Sequence, residues 1–313
     1  MRELGGAHRG RQSGQIIVVF ALALVAIIAM VGLVLDGGSA FAQRRDEQSA
    51  ADLSALAAAN DYLLNADVTL ATARARTIAA ANGYTHGVNG VTVNVTITTT
   101  NGAEVQVDIN APHKNNFSSV LGMTTWPVST TAEAQSGYPD SVNGGGPIIF
   151  SIYAFGTNGT PLAAYGDPAH PYDFGEGNGD VPNGPGDIAW TNYGTGNVNT
   201  AEVSSIISGD TVINTTLERG EYIGQHNNGN HTALYGDVDQ YLSGTNIPVP
   251  VVDHNGNFQG WATFHVVSAA GGAAKHVTGY FVAPFVNERL TIKGCAQGSC
   301  PRYLGSPTLH LVN

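Results

Sequence analysis

The chain has 313 residues, of which 12% are charged, and it carries 13 Lys and Arg against 24 Asp and Glu. Leaving out Arg2, Arg9, Arg11 and Glu3, which precede residue 36, ten basic side chains face twenty-three acidic ones, a net charge of −13. The chain from residue 36 onwards, which is called the body, is therefore strongly acidic. It offers no basic surface to phosphates, so we expect no nucleic acid as a partner. Forty Gly and abundant Asn and Thr indicate short strands joined by many turns.

Residues 16–35 form an apolar stretch that begins with Ile16, ends with Leu35 and contains no charged side chain. Fourteen of these twenty residues are Ile, Val, Leu or Phe. At about 1.5 Å per residue, such a helix reaches about 30 Å, which is the thickness of the hydrocarbon core of a bilayer. We therefore predict a single N-terminal transmembrane helix preceded by a cytoplasmic segment, residues 1–15.

The flanking charges predict the orientation of this helix. Arg2, Arg9 and Arg11 precede it, whereas Asp36 follows it at once, which places the N terminus in the cytoplasm and the body outside. An alternative remains open, because Ala40-Phe41-Ala42 has the small-x-small form of a signal-peptidase site. In that case the body is secreted after cleavage at Ala42. Against it, the apolar stretch is longer than the 7 to 15 residues usual in a signal peptide.

The segment that follows the apolar stretch is rich in Ala, Gln and Arg after Gly37 and Gly38, and these residues favour a helix. Its apolar positions recur at helical spacing but form a narrow stripe that is mostly alanine. Such a stripe suits close packing against another helix, and a rigid stalk that lifts the body off the membrane is the alternative. The residues of the stripe are Ala50, Ala51, Leu53, Leu56 and Ala57.

About sixty N-terminal residues combine a Gly-Gln pair, an apolar run, an Asp directly after it, and an Arg-rich step into Gln-x-Ala-Ala-Asp-x-x-x-Leu-Ala. The residues concerned are Gly14, Gln15, Asp36, Arg44, Arg45, Gln48, Ala50, Ala51, Asp52, Leu56 and Ala57. This combination resembles the start of TadG-like proteins, of the TadE/TadG-like group associated with the Flp, or tight adherence, pilus assembly system. The resemblance implies a membrane-held accessory or structural component of pilus assembly that works through contacts with other pilus-assembly or envelope proteins.

The following residues predict a small α+β domain over residues 36–135. A helix begins at Asp67 and stops at Asn82-Gly83, and alternating Val, Ile and Thr on both sides of Asn101-Gly102 indicate a β-hairpin. A short helix closed by Gly122 and a third strand up to Ala134 complete a three-stranded antiparallel sheet. The order of these elements also resembles that in TadG-like proteins.

Residues 136–147 are rich in Gly and Pro and are predicted to be a linker. Beyond it, residues 148–313 predict a Gly-rich, mainly-β extracytoplasmic domain, so that the fold class of the whole chain is α+β. Within it, residues 247–252 form a strand that Pro248 and Pro250 should confine to a sheet edge, because proline cannot donate to a central ladder. Residues 156–187 are predicted to be a long irregular loop.

The sequence predicts no catalytic site and no cofactor-binding site. The sequence has no motif of a hydrolase, a zinc protease or a phosphate-binding loop, so we expect neither enzymatic activity nor a cofactor. Calcium bound by the loop acids is a weaker alternative, and so is a metal held by His226 with His231 or by His254 with His265. The acids are Asp167, Asp173, Glu176, Asp180 and Asp187. In an exported chain, Cys295 and Cys300 predict a small disulfide loop.

The sequence also bears on three other possible functions: a pilin subunit, a surface adhesin and a tethered hydrolase. Processing as a pilin subunit is disfavoured, because the fifth position after Gly14 is Val19 and not the Glu that prepilin peptidases generally require. A surface adhesin that binds carbohydrate or protein is an alternative, which exposure of Trp190 or Trp261 would favour and burial of both would disfavour. A tethered hydrolase is a weaker alternative, which would require acidic and His residues to converge in one pocket.

Overall fold

The computed structural model describes residues 13–99, 102–177, 181–194, 198–223, 231–294 and 300–312. The chain divides into two compact units. The first comprises the chain up to residue 58 together with residues 69–96 and 106–133, and the second comprises residues 59–68, 97–105 and 134–313. The fold is mixed α+β, with one long apolar N-terminal helix and mainly antiparallel sheets, as the sequence predicts. It also contains a six-stranded barrel with two parallel strand pairs, which the sequence does not predict.

Helix α1 (Ser13–Asn65) is a single helix of 53 residues. The predicted apolar helix and the predicted stalk are therefore one element. Gly37 and Gly38 do not interrupt it, because both lie in helical conformation and neighbouring backbone hydrogen bonds continue through them. Within the described residues, it is the one helix long and apolar enough to cross a membrane. Only 6% of its most apolar window is buried, so this part of the helix is not the core of a soluble fold.

The first unit places further helical and strand elements after α1. Helix α2 begins directly after Asp67 and ends before Gly83, whose φ of +95° closes it, as the sequence predicts. Its buried side chains are all alanine, whereas the second strand buries Val105, Val107 and Ile109. Asn101 of the predicted hairpin turn lies outside the described residues. The elements are α2 (Val68–Ala81), β1 (Thr92–Thr98), β2 (Ala103–Lys114), a 3-10 helix (Ser118–Leu121) and β3 (Thr125–Gly137).

The second unit is built around a closed six-stranded barrel with the strand order β10-β11-β6-β7-β5-β9. A small sheet has the order β12-β4-β8. The sheet that was predicted to have three strands has four, in the order β1-β2-β3-β13, because a strand close to the C-terminal end of the described residues pairs with β3. The strands are β4 (Ser141–Asn143), β5 (Ile148–Ser151), β6 (Tyr172–Glu176), β7 (Asp187–Trp190), β8 (Asn214–Thr216), β9 (Asn246–Val252), β10 (Phe258–Ala270), β11 (His276–Phe281), β12 (Leu290–Thr291) and β13 (Thr308–Val312). The helices are α3 (Thr200–Ser208) and α4 (Thr232–Tyr241).

Aromatic side chains fill the barrel. The rings of Phe150, Phe174, Phe264 and Phe281 form a cluster whose centroids lie 4.6 to 5.8 Å apart. These distances suit the offset and edge-to-face arrangements that aromatic pairs prefer. The cluster belongs to the hydrophobic core of the barrel, in which all four side chains are buried.

Strand β9 was predicted to lie at a sheet edge. It is instead one of the strands of the closed barrel, with β10 on one side and β5 on the other. It pairs with β10 along its whole length, and it pairs with β5 only from Val251 onwards. The carbonyl of Pro248 accepts from the Gly146 N–H on the β5 side of the strand. Pro248 and Pro250 therefore precede the β5 pairing, where no ladder bond requires the N–H that proline lacks.

Two other segments are more ordered than their composition indicates. Residues 141–143 of the predicted linker form β4, and the preceding Asp140 is fully buried and accepts the N–H groups of Lys293 and Gly294. Residues 172–176 of the predicted irregular loop form β6, because they pair with β11 and β7. Both depend on partners that lie far away in the sequence.

The continuity of α1 predicts the effect of removing a glycine. A Cβ added to Gly38 meets no atom within 4 Å, so Gly38→Ala should stabilise the helix by about 0.5–1 kcal/mol. Gly83→Ala is the matched control. It has the same open space but a φ of +95°, so it should lower the free energy of unfolding by about 1 kcal/mol. Thermal unfolding of the full chain in detergent, followed by circular dichroism, measures both; equal signs for the two variants would contradict a continuous helix.

Candidate functional site

The candidate site is the face of α1 that packs on the sheet of the first unit. Asp36, Ser39, Gln43 and Glu47, spaced by three or four residues, lie on this face and are called the polar stripe. Each makes contacts with residues that follow it by more than 65 positions in the sequence. The stripe begins directly after the apolar residues 16–35.

Asp36 holds the loop that carries the 3-10 helix. Its carboxylate is buried, with 1% of the residue exposed, and accepts the backbone N–H groups of Asn116, Phe117 and Ser118 at 2.6 to 3.2 Å. Burial of the carboxyl raises its pKa, but the Ser118 N–H and hydroxyl and the other two N–H groups outweigh burial and lower the pKa to about 2. Asp36 is therefore a carboxylate anion that accepts the hydrogen bonds of three loop N–H groups directly after the apolar stretch.

Ser39, Gln43 and His113 form the next part of the stripe. Gln43 Oε1 lies 2.7 Å from His113 Nδ1, and Ser39 Oγ lies 3.0 Å from His113 Nε2. Because an amide oxygen only accepts, His113 donates from Nδ1, and its Nε2 faces the serine hydroxyl. Gln43 Nε2 in turn donates to the Ala111 carbonyl of β2 at 3.1 Å. These contacts fix the distance between α1 and β2 by polar and not only by apolar packing.

Glu47 is a buried carboxyl without a conventional partner. The residue is 0% exposed, and among the described residues neither of its carboxyl oxygens has a partner at hydrogen-bonding distance and angle. Burial is the largest influence on this carboxyl and raises its pKa to about 7, although Gln43, Thr130, the backbone of Ala111 and the charge of Arg44 act in the opposite direction. A protonated Glu47 can donate to the Thr130 hydroxyl, which also lacks a partner among the described residues.

Several residues of the TadG-like motif serve the packing of this face. Gln48 Nε2 donates both to Asp52 Oδ1 at 2.8 Å and to the Thr131 carbonyl of β3 at 3.0 Å. Ala50 and Ala51 are almost fully buried, which lets the helix backbone approach its neighbours closely. Together with Asp36, these residues join the helix to the sheet.

Other motif residues do not take part in this packing. Arg44 and Arg45 are exposed, and neither forms a salt bridge within the described residues. Leu56 and Ala57 are half-buried, and Gly14 and Gln15 lie in the first turn of α1. The motif thus divides into residues that the fold itself uses and an exposed arginine pair.

No sequence pattern singled out Ser39, Gln43, Glu47 or His113. The sequence does contain a partial indication, because the three residues on α1 continue the helical spacing that begins at Asp36. They were not recognised because a polar side chain on a helix next to a membrane is usually solvated. The position of their partner on β2 could not be read from the sequence.

The loop acids do not gather into a cation site within the described residues. Asp173 accepts from Thr278, Glu176 accepts from Trp190 Nε1, and Asp187 accepts the N–H groups of residues 183 and 184. Asp167 pairs with the exposed His170 at 2.8 Å. Each acid therefore closes a turn or links two strands. Asp180 lies outside the described residues.

The histidines and cysteines give no metal centre in the described part of the chain. His231 lies 3.0 Å from the Thr200 hydroxyl, and His265 contacts Asn246. His226 lies outside the described residues. So does Cys295, and the pairing of Cys295 with Cys300 stays a prediction.

Two open clefts of the second unit bear on the remaining alternatives. One, of about 450 Å³, contains Asp167 beside Phe281 and Tyr303, and the other, of about 590 Å³, is lined by Tyr138, Tyr153 and Tyr303 among others. Among the described residues, no histidine lines either cleft. Trp190 and Trp261 are both fully buried, so they cannot serve as exposed binding surfaces.

The comparison with protein families identifies the N-terminal part of the chain. Residues 14–61 match a family described as "Putative Flp pilus-assembly TadE/G-like". This confirms the resemblance found in the sequence and supports a role in pilus assembly. The match covers α1 from its start through the whole polar stripe and the alanine stripe. No curated protein and no solved structure matches the chain.

The contacts of Asp36 predict that its loss destabilises the first unit. Asp36→Ala leaves three loop N–H groups without their acceptor, and we expect the midpoint of thermal unfolding to fall on the order of 5 °C. Asp46→Ala, an exposed acid on the same helix, is the matched control and should leave the midpoint unchanged. Both are measured on the full chain in detergent. The role given to Asp36 is wrong if the two variants behave alike.

The burial of Glu47 predicts a pH dependence that one substitution removes. Its pKa of about 7 in the folded chain exceeds the ordinary 4.5, so between these values the folded state keeps a proton that the unfolded chain releases. The contribution of Glu47 to the free energy of unfolding is therefore greatest below pH 4.5 and is lost as the pH rises through 7, by roughly 1–2 kcal/mol.

Glu47→Gln keeps the shape of the side chain without a titrating proton, so this fall should disappear. Urea unfolding of both proteins at a series of pH values measures the difference. An unchanged slope in Glu47→Gln would assign the pH dependence to other groups.

Proposed function

We propose, from the TadE/G-like domain that residues 14–61 carry, that this chain is a membrane-anchored extracytoplasmic component of a Flp/Tad-type pilus assembly system. It acts as an accessory or structural part through protein–protein contacts and not by catalysis. The observation that carries this proposal is the continuity of α1, whose exposed apolar half leads without a break into a half that is packed on a sheet. A rigid connection of this kind suits a part that holds partners at a fixed distance from a bilayer.

The orientation and retention of the anchor belong to the same proposal. Arg2, Arg9 and Arg11 favour an N terminus in the cytoplasm, which places the chain from residue 36 onwards outside. Cleavage after Ala42 would remove Asp36 and Ser39 and leave their loop and histidine partners without them. Retention of the helix is therefore favoured over a cleaved signal peptide.

The exposed motif residues are the proposed contact with a partner protein. Asp36, Gln48 and the buried alanines serve the fold, whereas Arg44 and Arg45 are solvent-exposed and without a salt bridge among the described residues. Their guanidinium groups carry a permanent charge and can bind carboxylates in a bidentate manner. We therefore assign an acidic surface of another pilus-assembly or envelope protein to this pair.

The alternatives have less support. The burial of Trp190 and Trp261 removes the feature that would favour an adhesin. For a hydrolase, acids and histidines would have to meet in a cavity, and the residues that line the two clefts include no histidine. Val19 stands where a pilin precursor would need Glu, so an accessory role is favoured over a pilin subunit.

Complementation in the native host tests this function. A deletion strain is complemented with the wild-type protein, with Arg44→Gln/Arg45→Gln, or with Arg74→Gln/Arg76→Gln, a control pair of exposed arginines on α2. We expect loss of surface pili on deletion and recovery with the wild type and the control. The Arg44/Arg45 variant should reach the membrane fraction at normal amounts and full length, but restore few pili.

Two results of this experiment would contradict the proposal. Unchanged pili in the deletion strain would remove the assembly role. A body found in the medium and starting at residue 43 would replace the anchored protein with a secreted one.

A further inference from the structure

The loop after β2 exposes an unusual amount of apolar surface. Phe117 is 48% exposed, Val120 87% and Met123 45%. Residues 115–124 contain no charged side chain, in a body whose net charge is strongly negative. Contiguous apolar surface of this kind marks a binding surface more often than a solvated loop.

Hydrogen bonds hold this loop in one shape. Asn115 donates from its backbone to the Thr124 carbonyl and from its side chain to the Met123 carbonyl. The Met123 N–H bonds back to the Ser118 carbonyl, and Gly122 has the left-handed conformation that ends the 3-10 helix. Together with the bonds to Asp36 and the turn bonds from Val120 and Gly122, these contacts pair most of the backbone N–H groups of the loop. The apolar side chains are therefore held outward by a rigid frame.

The loop lies against the apolar stretch of α1. A Cβ added to Gly32 would lie 2.6 Å from Phe117 Cβ, so the absence of a side chain at Gly32 allows this approach. An open groove of about 430 Å³ runs between them, with Val25, Ile28 and Leu33 on the helix side and Phe117, Val120 and Met123 on the loop side. In the described part of the chain, Ser118 is the one polar residue that lines this groove.

We propose that the loop formed by residues 117–123 enters the hydrocarbon edge of the outer leaflet beside α1, and that lipid acyl chains fill the groove. This inference rests on the proposed membrane anchoring of α1. Gly32 lies three residues inside the end of the apolar stretch and Val25 ten residues inside it, which correspond to depths of about 4.5 and 15 Å along the helix. A bilayer that contains residues 16–35 therefore meets the loop as well.

The chemistry of the loop favours acyl chains over other occupants. The loop carries no cation for lipid phosphates, and most of its backbone donors are already paired, namely those of residues 115–118, 120, 122 and 123, which favours entry into hydrocarbon. The groove is continuous with the helix surface that the bilayer covers. A second copy of this chain, or the helix of another protein, would instead shield the same surface from lipid, and the experiment distinguishes these cases.

The test uses tryptophan quenching in liposomes of the full-length protein. Three single variants are made at exposed positions: Val120→Trp in the loop, Phe20→Trp in the apolar stretch and Val212→Trp in the second unit. Each is reconstituted with phosphatidylcholine brominated at shallow or deep acyl positions, and quenching is measured relative to the unsubstituted protein. We expect Val120→Trp to be quenched about twofold or more above Val212→Trp, and most strongly by the shallow bromines.

The Phe20→Trp variant separates the two levels of the inference. Quenching of Phe20→Trp without quenching of Val120→Trp would overturn the loop proposal and leave the anchor intact. This result is also the one expected if protein covers the groove. If Phe20→Trp is not quenched, the anchor itself fails, and the loop proposal fails with it.

Discussion

The carboxylate of Asp36 is the contact on which the first unit depends. Asp36 is the first residue of α1 after the apolar stretch. Its carboxylate accepts hydrogen bonds from three consecutive N–H groups of a loop that follows it by eighty residues in sequence. A charge at this place is costly unless it is fully hydrogen-bonded, and the loop donors are costly unless they find an acceptor. The hydrogen bonds between the carboxylate and the loop N–H groups therefore compensate for the desolvation of both, and they fix the loop against the helix.

The rest of the helix face extends this arrangement. The polar stripe continues through Ser39 and Gln43 to Glu47, and small alanines take over at Ala50 and Ala51. Polar contacts give this interface a defined register, whereas an alanine surface alone would allow the helix to slide along the sheet. A helix that is uninterrupted from the apolar stretch to this interface transmits its position relative to the bilayer directly to the folded unit.

Local signals were sufficient for much of the fold. The apolar stretch, the helix from Asp67 to Gly83 and the short helix closed by Gly122 could be predicted because each depends on nearby residues. The motif residues were identified, and Asp36 among them, but the sequence did not reveal what Asp36 binds.

The remainder depends on long-range pairing. Closure of the barrel brings β5 next to β9 and β6 next to β11, and these pairs are about a hundred residues apart in sequence. The same closure moves Pro248 and Pro250 away from an edge. Glu47 is buried only because β2 and β3 cover it, so its raised pKa had no counterpart in the sequence pattern.

Hydrogen exchange at the loop amides tests the central claim most directly. In the full-length protein in detergent, Asn116, Phe117 and Ser118 should exchange as slowly as the paired amides of β2, although they lie in a loop, and this protection should vanish in Asp36→Ala. Fast exchange in the wild-type protein, or equal protection in the two proteins, would contradict the account in which the Asp36 carboxylate joins helix and loop.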